Sequence, residues 1–244
     1  MALYRADALV LRRFKLGEAD LIVSFLTRER GKMRAVARSS RRPKSKFAGA
    51  LEPLSRVHLE YYGRENADLF RVNSADVLRS FDKLRRDYEK VKSALVLAEL
   101  LDRLLEDGEA QPAIFDLSLG VLDWMEGKDS AEDPLIFFEV RFLRELGYAP
   151  NLDRCARCEA DLAGKGAVFR AGAGELLCPG CAAGGLRLSP GAVRHLSAVG
   201  SLPLERAFQA AAAGAVRAEV RRFLQAYLTG LSGARLKSLR FLES

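Results

Sequence analysis

Residues 20–38 read DLIVSFLTRERGKMRAVAR, and this stretch carries the pattern that decides the fold of the N-terminal part of the chain. DLIVSFLT and KMRAVAR have the composition of β-strands, and RERG between them ends in glycine, which is typical of a short hairpin connection. Alternate residues of a strand point to opposite faces, so KMRAVAR has one small apolar face, suited to a barrel interior, and one cationic face. The inward set is Met33, Ala35 and Ala37, and the outward set is Lys32, Arg34, Val36 and Arg38.

Three more β-rich segments surround this hairpin. YRADALVLRRF precedes it, and RVHLEYY and DLFRVNSADVL follow it, with turns at GEAD and GREN. Five strands in fewer than 80 residues, with a long connection between the third and the fourth, predict a small five-stranded barrel. The oligonucleotide/oligosaccharide-binding (OB) barrel is such a fold, and an SH3-like barrel is the alternative that the pattern leaves open.

From residue 79 onwards the hydrophobic period is that of α-helices. A first helical pattern ends in Gly108, and a second begins at Pro112. The third is expected to start with Asp133 as its cap and Pro134 in its first turn. A Ser-Pro pair opens another helix, and an Ala/Gly-rich stretch leads into the last one. The chain is therefore predicted to be α+β, with a small N-terminal five-stranded barrel, of the OB or the SH3-like type, followed by a mainly helical domain.

The net charge of +7 is concentrated near the N-terminus. Residues 1–80 contain 17 Lys or Arg and 9 Asp or Glu, whereas the rest of the chain contains 22 and 23. This asymmetry indicates a polyanionic partner, and we favour nucleic acid, because solubility alone does not require the charge to lie in one segment. We expect one strand and the loop after it to contact phosphates along a single track. The expected contacts are Lys32, Arg34, Arg38, Arg41, Arg42, Lys44 and Lys46.

Two further groups of residues are candidates for contact with nucleic acid. Tyr61, Tyr62 and Phe70 have the side chains that stack on bases, although packing in the barrel core is expected for at least half of them. The second group is a C-terminal basic set, for which a solvated helix face and a role in holding DNA or an acidic tail are equally compatible with the pattern. Its members are Arg217, Arg221, Arg222, Arg235, Lys237 and Arg240.

All four cysteines belong to two CxxC pairs, Cys155/Cys158 and Cys178/Cys181, with nineteen residues between the pairs. Four thiolates at this spacing are typical of a tetrahedral zinc site, and a filled coordination sphere predicts a structural role for one Zn²⁺ ion. The segment between the pairs has the pattern of a small hairpin. Two disulfides or a redox-active CxxC pair are the alternatives, and we expect neither in a cytosolic chain that lacks a βαβ context.

The sequence lacks the motifs of several enzyme classes. There is no GxxxxGK[ST], no GxSxG and no HxE near the cysteines. No apolar run approaches the roughly eighteen residues of a membrane span, and the N-terminus lacks the layout of a signal peptide. We therefore expect a cytoplasmic binding protein that is not an enzyme and has no membrane partner.

The motifs, in their order along the chain, resemble those of the RecO family of bacterial recombination mediators. ALVLRRFKLGEADLIVSFLTRERGKMRAVAR is similar to the family's N-terminal opening, and RRPKSKFAGALEPLS stands where the family has its basic segment. FEVRFLRELGYAPNLDRCARC resembles its junction between helix and zinc element, and LKSLRFL its C-terminal end. Glu159 follows the first CxxC pair where such knuckles often have glycine, which implies some strain in the turn.

The resemblance implies an OB barrel in residues 1–78, a helical domain in 79–151 and 185–244, and a four-cysteine zinc element in 152–184. It also implies a recombination mediator, nucleoid-associated in a bacterial cytoplasm, that binds single- and double-stranded DNA and anneals complementary strands. The implied partners are RecR and the single-stranded DNA-binding protein SSB, together with a functional link to the loading of RecA. A zinc-ribbon transcription factor or RNA-binding factor is the alternative, since it would also be basic and lack an ATPase motif.

Overall fold

The computed structural model describes residues 2–47, 49–65, 67–127, 132–203, 206, 212–233 and 238. The described residues up to 127 form one compact unit, and those from 132 to 238 form a second. No helix in these ranges combines the length and the hydrophobicity needed to cross a membrane.

The first unit contains a five-stranded barrel. The strands are β1 Ala2–Leu16, β2 Asp20–Thr27, β3 Gly31–Ala37, β4 Arg56–Gly63 and β5 Phe70–Arg79. β1 pairs with β2 and with β4, and β3 pairs with β2 and, in parallel, with β5, so that the order β1-β2-β3-β5-β4 closes on itself. This arrangement confirms the expected OB-type barrel.

The barrel core contains the inward residues that strand alternation predicts. Met33, Ala35 and Ala37 are at most 4 % exposed and belong to the core, whereas Arg34 between them is exposed. The long connection 38–55 also contributes to this core through Phe47, Ala50 and Leu51. Because these apolar residues are anchored in the barrel, the basic residues that precede them are held at its surface.

Three helices complete the first unit: α1 Asp82–Arg85, α2 Tyr88–Leu104 and α3 Pro112–Gly127. The helical pattern predicted over residues 79–108 is thus interrupted, because the Asp87 carboxylate caps a new helix by accepting from the backbone N–H groups of Glu89 and Lys90. Ser24 of β2 donates to Asp102 of α2 at 2.7 Å, and both side chains are buried. Contacts of this kind join the barrel to the helices within the first unit.

The second unit combines helices with a small sheet. Its described elements are α4 Glu132–Glu145, α5 Leu162–Lys165, β6 Ala167–Arg170, β7 Glu175–Leu177, β8 Leu186–Leu188, α6 Pro190–Ser201 and α7 Gly214–Leu231. The hairpin expected between the cysteine pairs is present as β6 and β7, and a third strand, β8, which the sequence did not indicate, pairs with the other side of β6. Phe169 of β6 packs edge-on against Phe223 of α7. The sheet is therefore part of the helical unit.

In the second unit, one helix begins as the sequence predicts and another begins one residue earlier than predicted. Ser189 caps α6 by accepting from the backbone N–H of Ala192, with proline at the first helical position, as expected. The expected cap Asp133 instead lies within the first turn of α4, because that helix begins one residue earlier. Its carboxylate accepts from Arg217 of α7 at 3.0 Å, so Asp133 holds two helices together.

Candidate functional site

The four cysteines converge on one point of the second unit. Their Sγ atoms all lie within 4.8 Å of one another. The Sγ atoms of Cys158 and Cys178 are 3.6 Å apart, and the backbone N–H of Cys178 donates to Cys155 Sγ at 3.2 Å. Cys155 and Cys178 are buried, whereas Cys158 is exposed and Cys181 is half-buried. The group can hold a metal ion, and it lies at one side of the small sheet.

The electrostatics of this cluster suit a cation. Burial raises the pKa of the Cys155 thiol, but N–H donors led by that of Cys178 outweigh burial and lower the pKa to about 6. Hydrogen bonds with the neighbouring thiols, first that of Cys158, raise the pKa of Cys181 to about 12. The Cys155 thiolate thus forms readily, whereas the neighbouring cysteines oppose deprotonation of Cys181. A bound cation removes this opposition, because it compensates the accumulated negative charge.

The first knuckle is strained at the residue that the sequence singled out. Glu159 has a φ of 60°, in the left-handed region that favours glycine. Its backbone N–H donates to the carbonyl of Cys155, and its own carbonyl accepts from Arg154. The turn therefore keeps both cysteines in place although it lacks the expected glycine.

The first cation of the predicted track, Lys32, faces outward from the barrel but is covered by the end of α2 and the chain after it. Its side chain is only 7 % exposed, and Nζ lies 3.1 Å from a carboxylate oxygen of Asp107. Nζ also donates to the backbone carbonyl of Asp102 at 2.8 Å. Strand alternation predicted the direction of this side chain correctly, but the packed helix removes it from solvent. The structure therefore does not place Lys32 among the exposed cations of the strand.

The other six cations of the track are exposed. Arg41 has a second role, because its Nη1 donates to the carbonyls of Gly17 and Glu18 and ties the basic loop to the β1–β2 turn. The Lys46 ammonium lies 5.2 Å from the centroid of the Phe47 ring. The exposed set, hereafter the cationic track, is Arg34, Arg38, Arg41, Arg42, Lys44 and Lys46.

Arg38 also lines a depression on the barrel that the sequence did not predict. This depression, hereafter the barrel trough, has a volume of about 510 Å³ and lies between the β1–β2 turn and the β4–β5 loop. Arg64 and Arg71 line it as well, and both are exposed. The sequence did not indicate Arg64 and Arg71 because neither belongs to a run of basic residues. Strand alternation could have predicted that Arg71 points outward, because it follows the inward Phe70.

The three candidate aromatic residues divide between the core and the surface. Tyr61 and Phe70 are 1 % and 6 % exposed and pack edge-on with ring centroids 5.2 Å apart. Burial raises the pKa of the Tyr61 hydroxyl. Tyr62 points outward, is half-buried and lines the barrel trough. Core packing thus accounts for two of the three, and Tyr62 is the one that is accessible to a base.

The described members of the C-terminal basic set interact with groups of the second unit. Arg217 pairs with Asp133, and Arg222 Nε donates to the carbonyl of Ala218 at 3.3 Å. Burial raises the pKa of Glu139 on α4 to about 7, against the opposing effect of the Arg221 charge. Arg217 and Arg221, which share a helix face as predicted, thus both act on groups of α4. Arg235, Lys237 and Arg240 lie outside the described residues.

Comparisons with known proteins cover both units. Residues 1–81 match the family model described as "Recombination protein O N terminal", and residues 85–240 match "Recombination protein O C terminal". The chain is 36 % identical to the DNA repair protein RecO of Symbiobacterium thermophilum, over 100 % of this chain and 98 % of that protein. It is 39 % identical to the DNA repair protein RecO of Anaeromyxobacter sp. strain K, over 98 % of this chain and 95 % of that protein.

Proposed function

Because this chain belongs to the RecO family and so has a role in DNA recombination and repair, we propose that it acts by holding DNA on the cationic track. It binds single and double strands without reading their sequence and anneals complementary strands. With RecR it helps to load RecA onto single strands covered by SSB. These partners follow from the family, as does a cytoplasmic location at the bacterial nucleoid.

The observation that carries this proposal is the exposure of the cationic track. Its loop cations Arg42, Lys44 and Lys46 are exposed, and the barrel core anchors the loop directly after them through Phe47. Because Phe47 anchors the backbone directly after these cations, the end of the loop does not have to be ordered when it meets a phosphate chain. Contacts of this kind release counterions and position the nucleic acid, but they carry no sequence information.

Annealing follows from the same charges and needs no hydrolysis. Two complementary strands repel each other through their phosphates, and cations held on one protein surface reduce that repulsion until base pairing takes over. The protein is accordingly proposed to be a mediator and not an enzyme. Its family membership also favours DNA repair over the alternative of a zinc-ribbon transcription or RNA-binding factor.

The metal proposed for the cysteine cluster is one Zn²⁺ ion. Four sulfur donors at two CxxC pairs are the set that zinc prefers, and Cys155, Cys158, Cys178 and Cys181 would fill its tetrahedral coordination. A filled sphere leaves no position for a reacting water, so the ion would serve the fold. It would hold the two knuckles together beside a sheet of only three short strands.

The test replaces Arg42, Lys44 and Lys46 with alanine, and retains Arg41 because Arg41 also ties down the β1–β2 turn. We expect slower annealing of SSB-coated complementary strands and weaker DNA binding. The slope of log K against log salt should become flatter by about 2 for a single strand, at roughly 0.7 for each lost contact.

The matched control removes three cations from another surface of the same unit, namely Lys83, Arg86 and Lys90 on α1 and α2 or between them. It changes the net charge equally and should leave the salt slope nearly unchanged. Equal slopes for the wild-type protein and the loop variant would contradict the assignment of the cationic track, as would an equal effect of the control.

A further inference from the structure

We propose that the β1–β2 turn and the first residue of β2 hold the basic loop in position for phosphate, with Asp20 and Arg41 as the positioning residues. This inference rests on the DNA-binding function proposed above and deepens it. The basic loop is residues 38–46, which follow β3 directly. The barrel core anchors the end of this loop through Phe47, and the turn fixes the course of the chain where the loop leaves β3.

The backbone bends at Ser39, where the chain leaves the line of β3. The φ of Ser39 is 54°, in the left-handed region that residues with a Cβ atom adopt only at a cost, so it persists because neighbouring contacts hold it. The carboxylate of Asp20 provides such a contact, since its Oδ1 accepts from the backbone N–H of Ser39 at 2.7 Å. The Ser40 hydroxyl donates to the carbonyl of Ala37 at 2.8 Å, which closes the bend toward β3 as well.

Arg41, two residues further on, is bonded to the same turn through both its backbone and its side chain. Its backbone N–H donates to the carbonyl of Ala19 at 2.9 Å. Its Nη1 donates to the carbonyls of Gly17 and Glu18 at 3.1 and 2.8 Å. Together with the bond to Asp20, four hydrogen bonds join the turn to the start of the loop. The start of the loop is therefore held before any ligand arrives.

The charge of Asp20 gives this arrangement an experimental signature. Residues 28–46, to which Asp20 is bonded, contain nine Lys or Arg and one acidic residue. Asp20 forms no ion pair with any residue that the structure describes. By charge alone, removal of a carboxylate from this surface should strengthen DNA binding, because carboxylate and phosphate repel each other. By position, its removal should release Ser39 and weaken DNA binding. The two effects have opposite signs.

A loop that is held in advance binds more tightly without an additional contact. Each residue that has to be ordered when DNA binds costs conformational entropy, and a residue that is already fixed does not. The salt slope, in contrast, depends on the number of phosphates that the protein neutralises. A positioning residue should therefore change the affinity and leave the salt slope as it is.

The experiment measures binding of a single strand at several salt concentrations. Asp20→Ala should weaken binding by about 5- to 30-fold, which is equivalent to about 1–2 kcal/mol, the cost of ordering one backbone residue. The slope of log K against log salt should remain that of the wild-type protein. Asp20→Asn keeps an oxygen that accepts from the N–H of Ser39 and loses the charge, so it should bind at least as tightly as the wild-type protein.

The matched control is Glu18→Ala, which removes a carboxylate from the same turn. The Glu18 side chain is exposed and forms no hydrogen bond or ion pair with the described part of the chain. The substitution also keeps the backbone carbonyl to which Arg41 donates. This variant should bind DNA no more weakly than the wild-type protein. Equal losses in Glu18→Ala and Asp20→Ala, or equal affinities of Asp20→Ala and Asp20→Asn, would overturn the inference.

Hydrogen exchange measures the contact itself in the free protein. The amides of Ser39 and Arg41 should be protected in the wild-type protein and in Asp20→Asn, and Asp20→Ala should lose this protection. Exchange of the Ser39 amide at an unprotected rate in the wild-type protein would contradict the positioning role.

Ser39→Pro covers the case in which Asp20→Ala fails to fold. Proline lacks the N–H that Asp20 accepts and cannot adopt a positive φ, while the net charge stays the same. The variant should weaken DNA binding by at least about 5-fold at an unchanged salt slope. Wild-type affinity of Ser39→Pro would also overturn the inference.

The two proposals fail in different ways. If the cationic track is wrong, the triple alanine variant of its loop keeps the salt slope of the wild-type protein. If only the positioning role is wrong, that variant flattens the slope as expected, while Asp20→Ala and Asp20→Asn bind DNA equally well. Each result can be obtained without the other.

Discussion

Replacement of Lys32 by alanine tests whether this residue contacts phosphate, as the strand pattern predicts, or stabilises the fold, as its burial indicates. By sequence, Lys32 is the first cation of a phosphate-binding row. In the structure its ammonium group is buried between Asp107 and the carbonyl of Asp102. We therefore expect Lys32→Ala to lower the stability of the first unit and to leave the salt dependence of DNA binding unchanged.

The size of the effect follows from three contributions. A hydrogen bond that involves a charged group contributes about 1.5–3 kcal/mol, and the carbonyl of Asp102 would lose its donor. The buried methylene stem of Lys32 contributes about 0.8 kcal/mol per CH₂. The substitution also removes the charged ammonium group and with it the free-energy cost of its desolvation, which offsets part of these two losses. A net loss of about 2–3 kcal/mol lowers Tm by roughly 4–12 °C in a chain of this size.

The assay is thermal unfolding in parallel with binding titrations of a single strand at several salt concentrations. Arg34→Ala is the matched control, because Arg34 is the next outward residue of β3 and is exposed. It should leave Tm nearly unchanged and flatten the salt slope by about 0.7. If Lys32→Ala instead flattens the slope by that amount at an unchanged Tm, then Lys32 contacts phosphate and the buried arrangement is wrong.

Three further predictions concern the second unit. Glu159→Gly should raise the free energy of unfolding by up to about 1 kcal/mol, because glycine adopts a positive φ without strain, and metal content by elemental analysis should be unchanged. Cys178→Ser should reduce metal content, stability and solubility more than intrinsic DNA affinity; a soluble, folded variant that binds no DNA would contradict a structural role for the site. Burial raises the pKa of Glu139 in the native state to about 7, above its ordinary value, so the native state binds more protons than the unfolded state. Stability should therefore fall by about 2 kcal/mol between pH 5 and pH 7. Chemical denaturation of Glu139→Gln should show most of this pH dependence removed, and an unchanged pH profile would refute the assignment.

The two CxxC turns and the barrel strands illustrate what is predictable from local pattern. The two CxxC pairs are close in sequence within each pair, so the turn of each knuckle presents two sulfur atoms whatever surrounds it. The strands have a period of two, and Met33 and Ala35 lie inside as that period requires. Even the strained turn was visible, because Glu159 occupies a position that favours glycine.

The barrel trough and the third strand of the small sheet illustrate what local pattern does not contain. Arg64 and Arg71 flank the β4–β5 loop, and the pairing of β3 with β5 brings the distant Arg38 to the same depression. β8 has three residues, too few to show a period, and it exists because β6 offers a free edge.

The sequence by itself therefore determined the barrel, the helical part, the four-cysteine group and the segment that carries the charge. The tertiary structure decided which of those charges reach solvent. Lys32 and Arg34 stand on the same face of one strand, and a helix end covers the first and not the second. The period of a strand sets the direction of a side chain, but its accessibility depends on elements that pack from elsewhere in the chain.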